Sequence, residues 1–242
     1  MSETNSPVQV NVRIEGRKET IFEGTVMTQG HDVTTNSGGT HPADGTNGNE
    51  YPFKVPTCTS ALDDASKVNP GFMWDGCVFL VPRPPSTWLI KFNSPYSPSL
   101  DDYFVTRIGT DVAQQGEYWQ LALNFRRADL GGSQMKIQKA DSVVWALIKL
   151  QQAPANGLPL LKLKGPRSAA VNVEILVTVI DGETRQGVEG ATVKDLRGRG
   201  AWISDYQGQA KVTFTTSGEK WLKAEHNGKY VRSNALKVTV SG

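Results

Sequence analysis

A two-residue repeat of hydrophobic side chains over the last 72 residues constrains the fold of this chain more than any other feature. Hydrophobic residues occupy alternate positions in 171–179, 210–214 and 236–240, and Asp181-Gly182 and Gly208 provide turns. Because successive side chains of a strand point to opposite faces, this pattern indicates half-buried strands. Turns at intervals of roughly 8–12 residues are typical of small antiparallel sandwiches. The sequence therefore predicts a β-sandwich at the carboxyl-terminal end of the chain.

The preceding residues predict further strands. Residues 8–14 alternate between hydrophobic and polar side chains, residues 16–19 provide a turn, and residues 21–27 return, so this stretch predicts a hairpin. Four later segments have the length and composition of strands: residues 104–108, 118–125, 143–150 and 158–163. The chain is therefore predicted to be mainly β.

One short helix is predicted between these strands. Thr59 or Ser60 provides its N-cap, and the motif Asn69-Pro70-Gly71 ends it. Asp63 and Asp64 would lie in its first turn, where the helix dipole favours negative charge. Its apolar face comprises Leu62, Ala65 and Val68. We expect this face to cover one side of a sheet.

Two other stretches are predicted to be irregular, and a third marks a domain boundary. Residues 28–56 are rich in Gly, Thr and Asn and predict a long loop, and loops of this length are often functional. Residues 72–103 are rich in proline and aromatic residues, and Pro84-Pro85 excludes a regular helix or a central strand there. Lys164-Gly165-Pro166 combines turn residues with a change of pattern. The predicted domains are therefore residues 1–165 and 166–242.

Bulk composition argues against several classes of protein. Lys and Arg number 26 against 24 Asp and Glu, a formal net charge of +2, whereas nucleic-acid binding normally needs a basic face. The basic clusters at 162–167 and 197–199 are interpreted as solvated loop charges, with contact to a polyanion as the alternative. No apolar run approaches the roughly 18 residues of a membrane span, and the first seven residues lack the features of a signal peptide. Neither a nucleic-acid partner nor a membrane span is predicted.

The two cysteines, Cys58 and Cys77, leave two interpretations open. A disulfide between them would stabilise the fold by roughly 3 kcal/mol in the chain-entropy view, and the alternative is two buried thiols. The three histidines, His31, His41 and His226, are scattered and complete no zinc site with them. No metal and no cofactor is predicted.

Several stretches of the chain match, in the same order, those of a family of secreted proteins. In the first domain they include Val10-Asn11-Val12-Arg13-Ile14-Glu15-Gly16, Phe72-Met73-Trp74-Asp75-Gly76 and residues 21–24, 57–65, 101–109, 118–124 and 142–146. In the second domain they include Asp205-Tyr206-Gln207-Gly208-Gln209-Ala210 and residues 188–193, 222–225 and 231–236. The chain resembles this family from about residue 8 to residue 240.

This resemblance implies a fold and a location. The family carries a β-grasp-like domain of the type that also ends the transcobalamins (the DUF4430 type), followed by an Ig-like module. It therefore implies a β-grasp-like α+β domain plus an Ig-like β-sandwich, in a secreted or cell-surface protein. Ala43 and Ser133 stand where the family tends to carry cysteines, so the bridge implied by the family is absent.

Aromatic residues in the middle of the chain are the main candidates for ligand contact. Flat rings offer a large contact area together with a polar group, and packing in the core or in loops is the alternative. Of the neighbours Tyr118 and Trp119, only one can face the core of a strand. Asp101-Asp102 suggests contact with a cation or a sugar, or a solvated strand entrance. The candidate ligand-binding residues are Trp88, Tyr96, Asp101, Asp102, Tyr103 and Trp119.

No catalytic residue is predicted, because no motif in the sequence carries a nucleophile with its base. His31-Asp32 suggests a dyad, yet Ser37 lies outside any nucleophile-elbow pattern. The favoured function is non-enzymatic binding or adhesion of extracellular type, with a glycan or small organic ligand recognised by an aromatic loop surface. One alternative is an enzyme acting on a glycan or metabolite through Asp101 or Asp102 and a loop histidine. Another is a surface protein that self-assembles through sheet edges, and the oligomeric state is left open.

Overall fold

The protein is seen in a computed structural model that describes residues 6–37, 39–46, 53–68, 71–78, 102–150, 153 and 157–242. The chain forms two compact units, Met1–Gly157 and Leu158–Gly242. Over the described residues the fold is mainly β with one helix, which confirms the predicted fold class at this level. In the part of the chain that the structure describes, no helix is long and apolar enough to cross a bilayer.

The first unit contains ten strands and one helix among its described residues. They are β1 (Val8–Glu15), β2 (Thr20–Thr28), β3 (His31–Thr35), β4 (Gly39–Ala43), α1 (Cys58–Ser66), β5 (Trp74–Val78), β6 (Tyr103–Ile108), β7 (Asp111–Val112), β8 (Glu117–Leu123), β9 (Arg126–Arg127) and β10 (Ser142–Lys149). The strands form a five-stranded sheet in the order β2-β1-β10-β8-β9, a hairpin of β3 and β4, and a three-stranded sheet in the order β5-β6-β7.

The five-stranded sheet is mixed. Its central strands, β1 and β10, run parallel with Val12 opposite Val143, whereas the other neighbours are antiparallel. The predicted hairpin at residues 8–27 is present as β1 and β2. One face of β1 presents Val10, Val12 and Ile14 to the core, where they meet α1 residues such as Leu62. That this unit has a β-grasp-like fold remains a prediction.

Helix α1 begins earlier than predicted, because Thr57 and not Thr59 or Ser60 is its N-cap. The Thr57 side chain accepts a hydrogen bond from the Ser60 backbone, and the Ser60 hydroxyl contacts the Thr57 backbone N–H at 2.9 Å, which is a capping box. Carbonyl groups of Met135 and Gly132 accept hydrogen bonds from the N–H groups of Cys58 and Thr59. The N–H groups of Cys58 and Thr59 therefore belong to the first turn of the helix and find their acceptors outside it. The predicted start at Thr59 or Ser60 would have placed them before the helix.

The stretch at 28–56, predicted to be a long loop, contains a hairpin in its described part. Strands β3 and β4 pair from His31 opposite Ala43 to Thr35 opposite Gly39. Val33 and Ala43 lie in the core. The prediction of a loop was wrong here, because threonine and valine favour strands and outweigh the loop-like glycine and asparagine around them.

The second unit contains eight strands. They are β11 (Leu161–Lys164), β12 (Ser168–Ala170), β13 (Glu174–Asp181), β14 (Thr192–Asp195), β15 (Ala201–Ile203), β16 (Gln209–Thr213), β17 (Gly218–Glu225) and β18 (Leu236–Ser241). They form a three-stranded sheet, β11-β13-β16, and a five-stranded sheet, β12-β18-β17-β14-β15. Side chains of both sheets share one core that includes Val177, Val212, Leu222 and Val238. That this unit has an Ig-like fold remains a prediction.

Two details of the second unit differ from the sequence prediction. β11 pairs with β13, Leu163 lying opposite Val179, so this strand joins the second unit although the predicted boundary lay after it, at 165/166. A hydrophobic run indicates burial without indicating which sheet the strand joins. The hydrophobic alternation also begins at Val171, before β13 begins at Glu174. The strand starts later because Asn172 has a positive φ of 60° and turns the chain.

Candidate functional site

Of the six predicted ligand-binding residues, three lie outside the described residues, two lie in the core, and Asp102 lies immediately before β6. Trp88, Tyr96 and Asp101 lie outside the described residues. Tyr103 and Trp119 are each only 6 % exposed and belong to the core of the first unit. Both are therefore corrected from ligand-contacting to scaffold residues, since a buried ring offers no surface to a ligand.

Tyr103 holds the start of β6 against its neighbours. Its hydroxyl donates a hydrogen bond to the Val33 carbonyl at 2.6 Å, with the Gly39 carbonyl at 3.1 Å. Its ring meets the Trp74 indole edge to face, with centroids 5.6 Å apart and planes at 80°. Trp119, one strand position after the half-buried Tyr118, is the member of that pair that faces the core.

Asp102 has a structural role. Its carboxylate accepts hydrogen bonds from the N–H of Tyr103 at 2.6 Å and from the N–H of Ser133 at 2.9 Å. A side chain at Gly131 would overlap this carboxylate, which shows how closely the 131–134 turn wraps it. Burial raises the pKa of Asp102 to about 6, although the hydrogen bonds from Ser133 and Tyr103 act in the opposite direction. The carboxylate therefore fastens the 131–134 turn to the start of β6.

A cluster of charged groups around Asp63 joins helix α1 to two strands. The Asp63 carboxylate accepts hydrogen bonds from His31 Nε2 at 2.9 Å, Lys67 Nζ at 2.5 Å and Trp74 Nε1 at 3.3 Å. Burial alone would raise the pKa of Asp63, but the hydrogen bonds from His31 and Lys67 lower it below its ordinary value. Asp64, the next residue, lies 3.6 Å from Lys67 Nζ.

His31 is held as an imidazolium by acceptors on both sides of its ring. Nδ1 lies 2.8 Å from the Gln29 carbonyl, which can only accept, and Nε2 faces the Asp63 carboxylate. The hydrogen bond with Asp63 raises the pKa of His31, burial opposes it, and the Gln29 carbonyl and the Asp64 charge add to the rise. The dyad suggested for His31 and Asp32 is thus formed with Asp63 instead, while Asp32 pairs with Lys54.

The His31–Asp63–Asp64 group has ligand atoms of the kind that divalent cations use. One imidazole nitrogen and two carboxylates offer atoms within 4.8 Å of one another. However, Lys67 already supplies a cation to both carboxylates. The arrangement is therefore a balanced network of two positive and two negative groups, and it acts as an electrostatic link between β3 and α1.

Cys58 is a free thiol at the start of α1 and is fully buried. Burial raises the pKa of this thiol, and the nearby charges of Asp141 and Asp102 act in the same direction. The side chain of Cys77 lies outside the described residues, but the free Cys58 thiol contradicts the predicted bridge between Cys58 and Cys77 and fits the alternative of a buried thiol.

We expect Cys58 to resist alkylation in the native protein and to react only after unfolding, because the thiolate is the reactive form and burial suppresses it. Mass spectrometry after alkylation without reductant measures this, with Cys58→Ser as the control for assignment. Recovery of a Cys58–Cys77 bridged peptide from the unfolded, unreduced protein would establish the disulfide instead.

The chain matches no family model and none of the curated proteins. Its resemblance to the secreted two-domain family therefore remains a prediction carried by the sequence motifs alone.

Proposed function

We propose that the protein is a non-enzymatic binding protein of extracellular type, whose ligand is a glycan or a small organic molecule. The proposed recognition surface is the aromatic connection between β5 and β6. The observation that carries this proposal is the pairing of Val78 with Tyr103, which places the two ends of that connection at neighbouring positions of one antiparallel ladder. The connection contains Trp88 and Tyr96.

The base of this connection has the rigidity that a binding surface needs. Tyr103 is fixed by its hydrogen bond to Val33 and by its contact with Trp74, and Thr35 donates to the Gly76 carbonyl at 2.6 Å. Asp75, beside it in β5, accepts hydrogen bonds from the backbone and the hydroxyl of Ser37. Long connections held by a rigid scaffold commonly carry recognition.

The chemistry of the described carboxylates also supports binding over catalysis. A general acid or base must reach a substrate proton. The Asp102 carboxylate accepts hydrogen bonds from the backbone N–H groups of Tyr103 and Ser133, and Asp63 is engaged with His31, Lys67 and Trp74. The enzymatic alternative through Asp102 and a loop histidine therefore receives no support from the described contacts.

We expect the substitutions Trp88→Ala and Tyr96→Ala to weaken ligand binding by about tenfold or more each, because each removes a large ring from the proposed surface. A glycan array identifies the ligand, and a titration followed by tryptophan or ligand fluorescence measures the affinity. Mass spectrometry of the ligand after long incubation is expected to show it unchanged.

Tyr206→Ala is the matched control, because Tyr206 is an aromatic residue of the second unit that is 74 % exposed. We expect it to leave the affinity unchanged. Unaltered affinity in both Trp88→Ala and Tyr96→Ala would refute the proposed surface, and conversion of the ligand to a product would refute the non-enzymatic function.

A further inference from the structure

A basic and aromatic surface belongs entirely to the second unit and goes beyond the function proposed above. We name it the Trp221 patch. It comprises Trp221 of β17, Lys237 of β18, Lys194 of β14, and Arg197 and Arg199 of the connection between β14 and β15. Trp221 and Lys237 lie directly opposite each other in the sheet.

Two cations of this patch contact the same indole ring. The Arg197 guanidinium carbon lies 5.7 Å from the Trp221 ring centroid, and Lys237 Nζ lies 5.6 Å from it. Such distances are within the range of cation–π attraction. The ring therefore holds two like charges close together, which without it would be separated by their mutual repulsion.

The connection that carries the arginines is built to present them. The Leu196 N–H donates to the Trp221 carbonyl at 2.8 Å, and the Asp195 carboxylate accepts from the Arg197 N–H at 3.0 Å. A side chain at Gly198 would overlap the Asp195 carboxylate, and one at Gly200 would overlap the Trp202 ring. The Arg-Gly-Arg-Gly spacing thus leaves room for side chains only at the two arginines, and both are exposed.

The charges of the patch are only partly compensated. Lys237 pairs with Glu219, and Lys194 pairs with Glu225. Among the described residues, no ion pair joins a carboxylate to the Arg197 or Arg199 guanidinium. The nearby Asp195 carboxylate contacts the backbone N–H of Arg197. The two exposed guanidinium groups, one of them over the Trp221 ring, therefore have no anion assigned to them among the described residues.

We propose that the Trp221 patch binds an anionic polysaccharide, with Arg197 and Arg199 contacting its sulfate or carboxylate groups. A planar guanidinium pairs with such groups through two parallel hydrogen bonds. Single-stranded nucleic acid is disfavoured because it is held by bases stacked on aromatic rings, and the Trp221 ring already carries two cations. Glu219 and Glu225 also interrupt the continuous basic face that a phosphate backbone requires.

The test measures the affinity of the full chain for chondroitin sulfate at several salt concentrations, with uncharged dextran as the neutral probe. We expect binding to chondroitin sulfate alone. The substitutions Arg197→Gln and Arg199→Gln are each expected to weaken it by at least about threefold and to lower the slope of log affinity against log salt by about one, since each removes one released counterion. The double variant is expected to lose binding.

Lys211→Gln is the charge-matched control. Lys211 lies on β16, in the other sheet of the unit, and its side chain is 73 % exposed beside Glu174. We expect it to leave the affinity within twofold of the unmodified protein. Equal losses in Lys211→Gln and Arg199→Gln would show a diffuse charge effect and overturn the proposal, as would tighter binding of a single-stranded DNA oligonucleotide.

The Trp88→Ala variant separates this proposal from the one above. It is expected to bind chondroitin sulfate normally, because Trp88 is not part of the patch. Loss of chondroitin sulfate binding in Trp88→Ala, with Arg199→Gln unaffected, would move the anionic ligand to the proposed aromatic surface and refute the Trp221 patch. Melting temperatures confirm that each variant is folded.

Discussion

Replacing Gly208 with alanine is expected to destabilise the second unit by roughly 3 kcal/mol or more. Gly208 has a φ of +77°, which L side chains rarely adopt, and its carbonyl accepts a 2.7 Å hydrogen bond from the Val179 N–H. A Cβ at Gly208 would overlap the Val179 carbonyl and would lie 2.8 Å from the Gly187 Cα. Both obstacles are backbone atoms of the core, so neither can move aside by a rotamer change.

The matched control for this prediction is Gly218→Ala. Gly218 also has a positive φ, +107°, but nothing lies within 4 Å of the position of its Cβ. We expect it to cost roughly 1–2 kcal/mol, the backbone strain alone. Hydrogen exchange of peptides that cover β13 and β16 reads the stability of this unit directly. Equal protection in the two variants would show that the close approach of the Gly208 backbone is not maintained in solution.

Replacing Asp63 with alanine is expected to destabilise the first unit by roughly 2–3 kcal/mol at pH 5, because it leaves the His31 imidazolium and the Trp74 N–H without their acceptor. Asp64→Ala is the control, since Asp64 only approaches Lys67 and His31 at 3.6 and 3.8 Å. We expect it to cost less than about 1 kcal/mol. Denaturant unfolding of both variants measures the difference.

The effect of Asp63→Ala is also expected to depend on pH. The folded pKa of His31 is raised above 6.5, so its contribution is complete below pH 6.5 and is lost as the pH rises through the folded value. The folded pKa of Asp63 is lowered below 3.8, so its contribution is complete above pH 3.8 and is lost as the pH falls. The destabilisation should therefore be largest between these values and smaller at pH 9. A constant difference from pH 5 to pH 9 would contradict the charged pairing of His31.

Strands β13, β16 and β18 of the second unit could be predicted because their hydrophobic alternation indicates which side chains are buried, whereas β12, β14, β15 and β17 were not predicted. Val212 of β16 and Val238 of β18 occupy the predicted inward positions. Hydrophobic alternation indicates which face of a strand is buried, but not which strand lies beside it. For this reason the parallel pairing of β1 with β10, and the assignment of β11 to the second unit, could not be predicted.

The contacts of the candidate site residues were harder to predict from the sequence than the strands. His31 and Asp63 are 32 positions apart, and neither stands in a motif that links them. Tyr103 and Trp119 have the composition of ligand-contacting residues, yet packing places them inside, because an aromatic ring gains more from burial than from exposure. Only the hydrogen-bond partners distinguish a carboxylate that fastens a turn, such as Asp102, from one that serves a ligand.

The order in which each unit can assemble follows from its parallel strand pairs. β1 pairs with β10 and β12 pairs with β18, so in both units a strand from near the beginning joins a strand from near the end. A nascent first unit therefore has its central sheet incomplete until residue 149 has emerged from the ribosome, and the second waits for residue 241. Such distant pairings slow folding, and they leave β1 without its central neighbour while the chain is being synthesised.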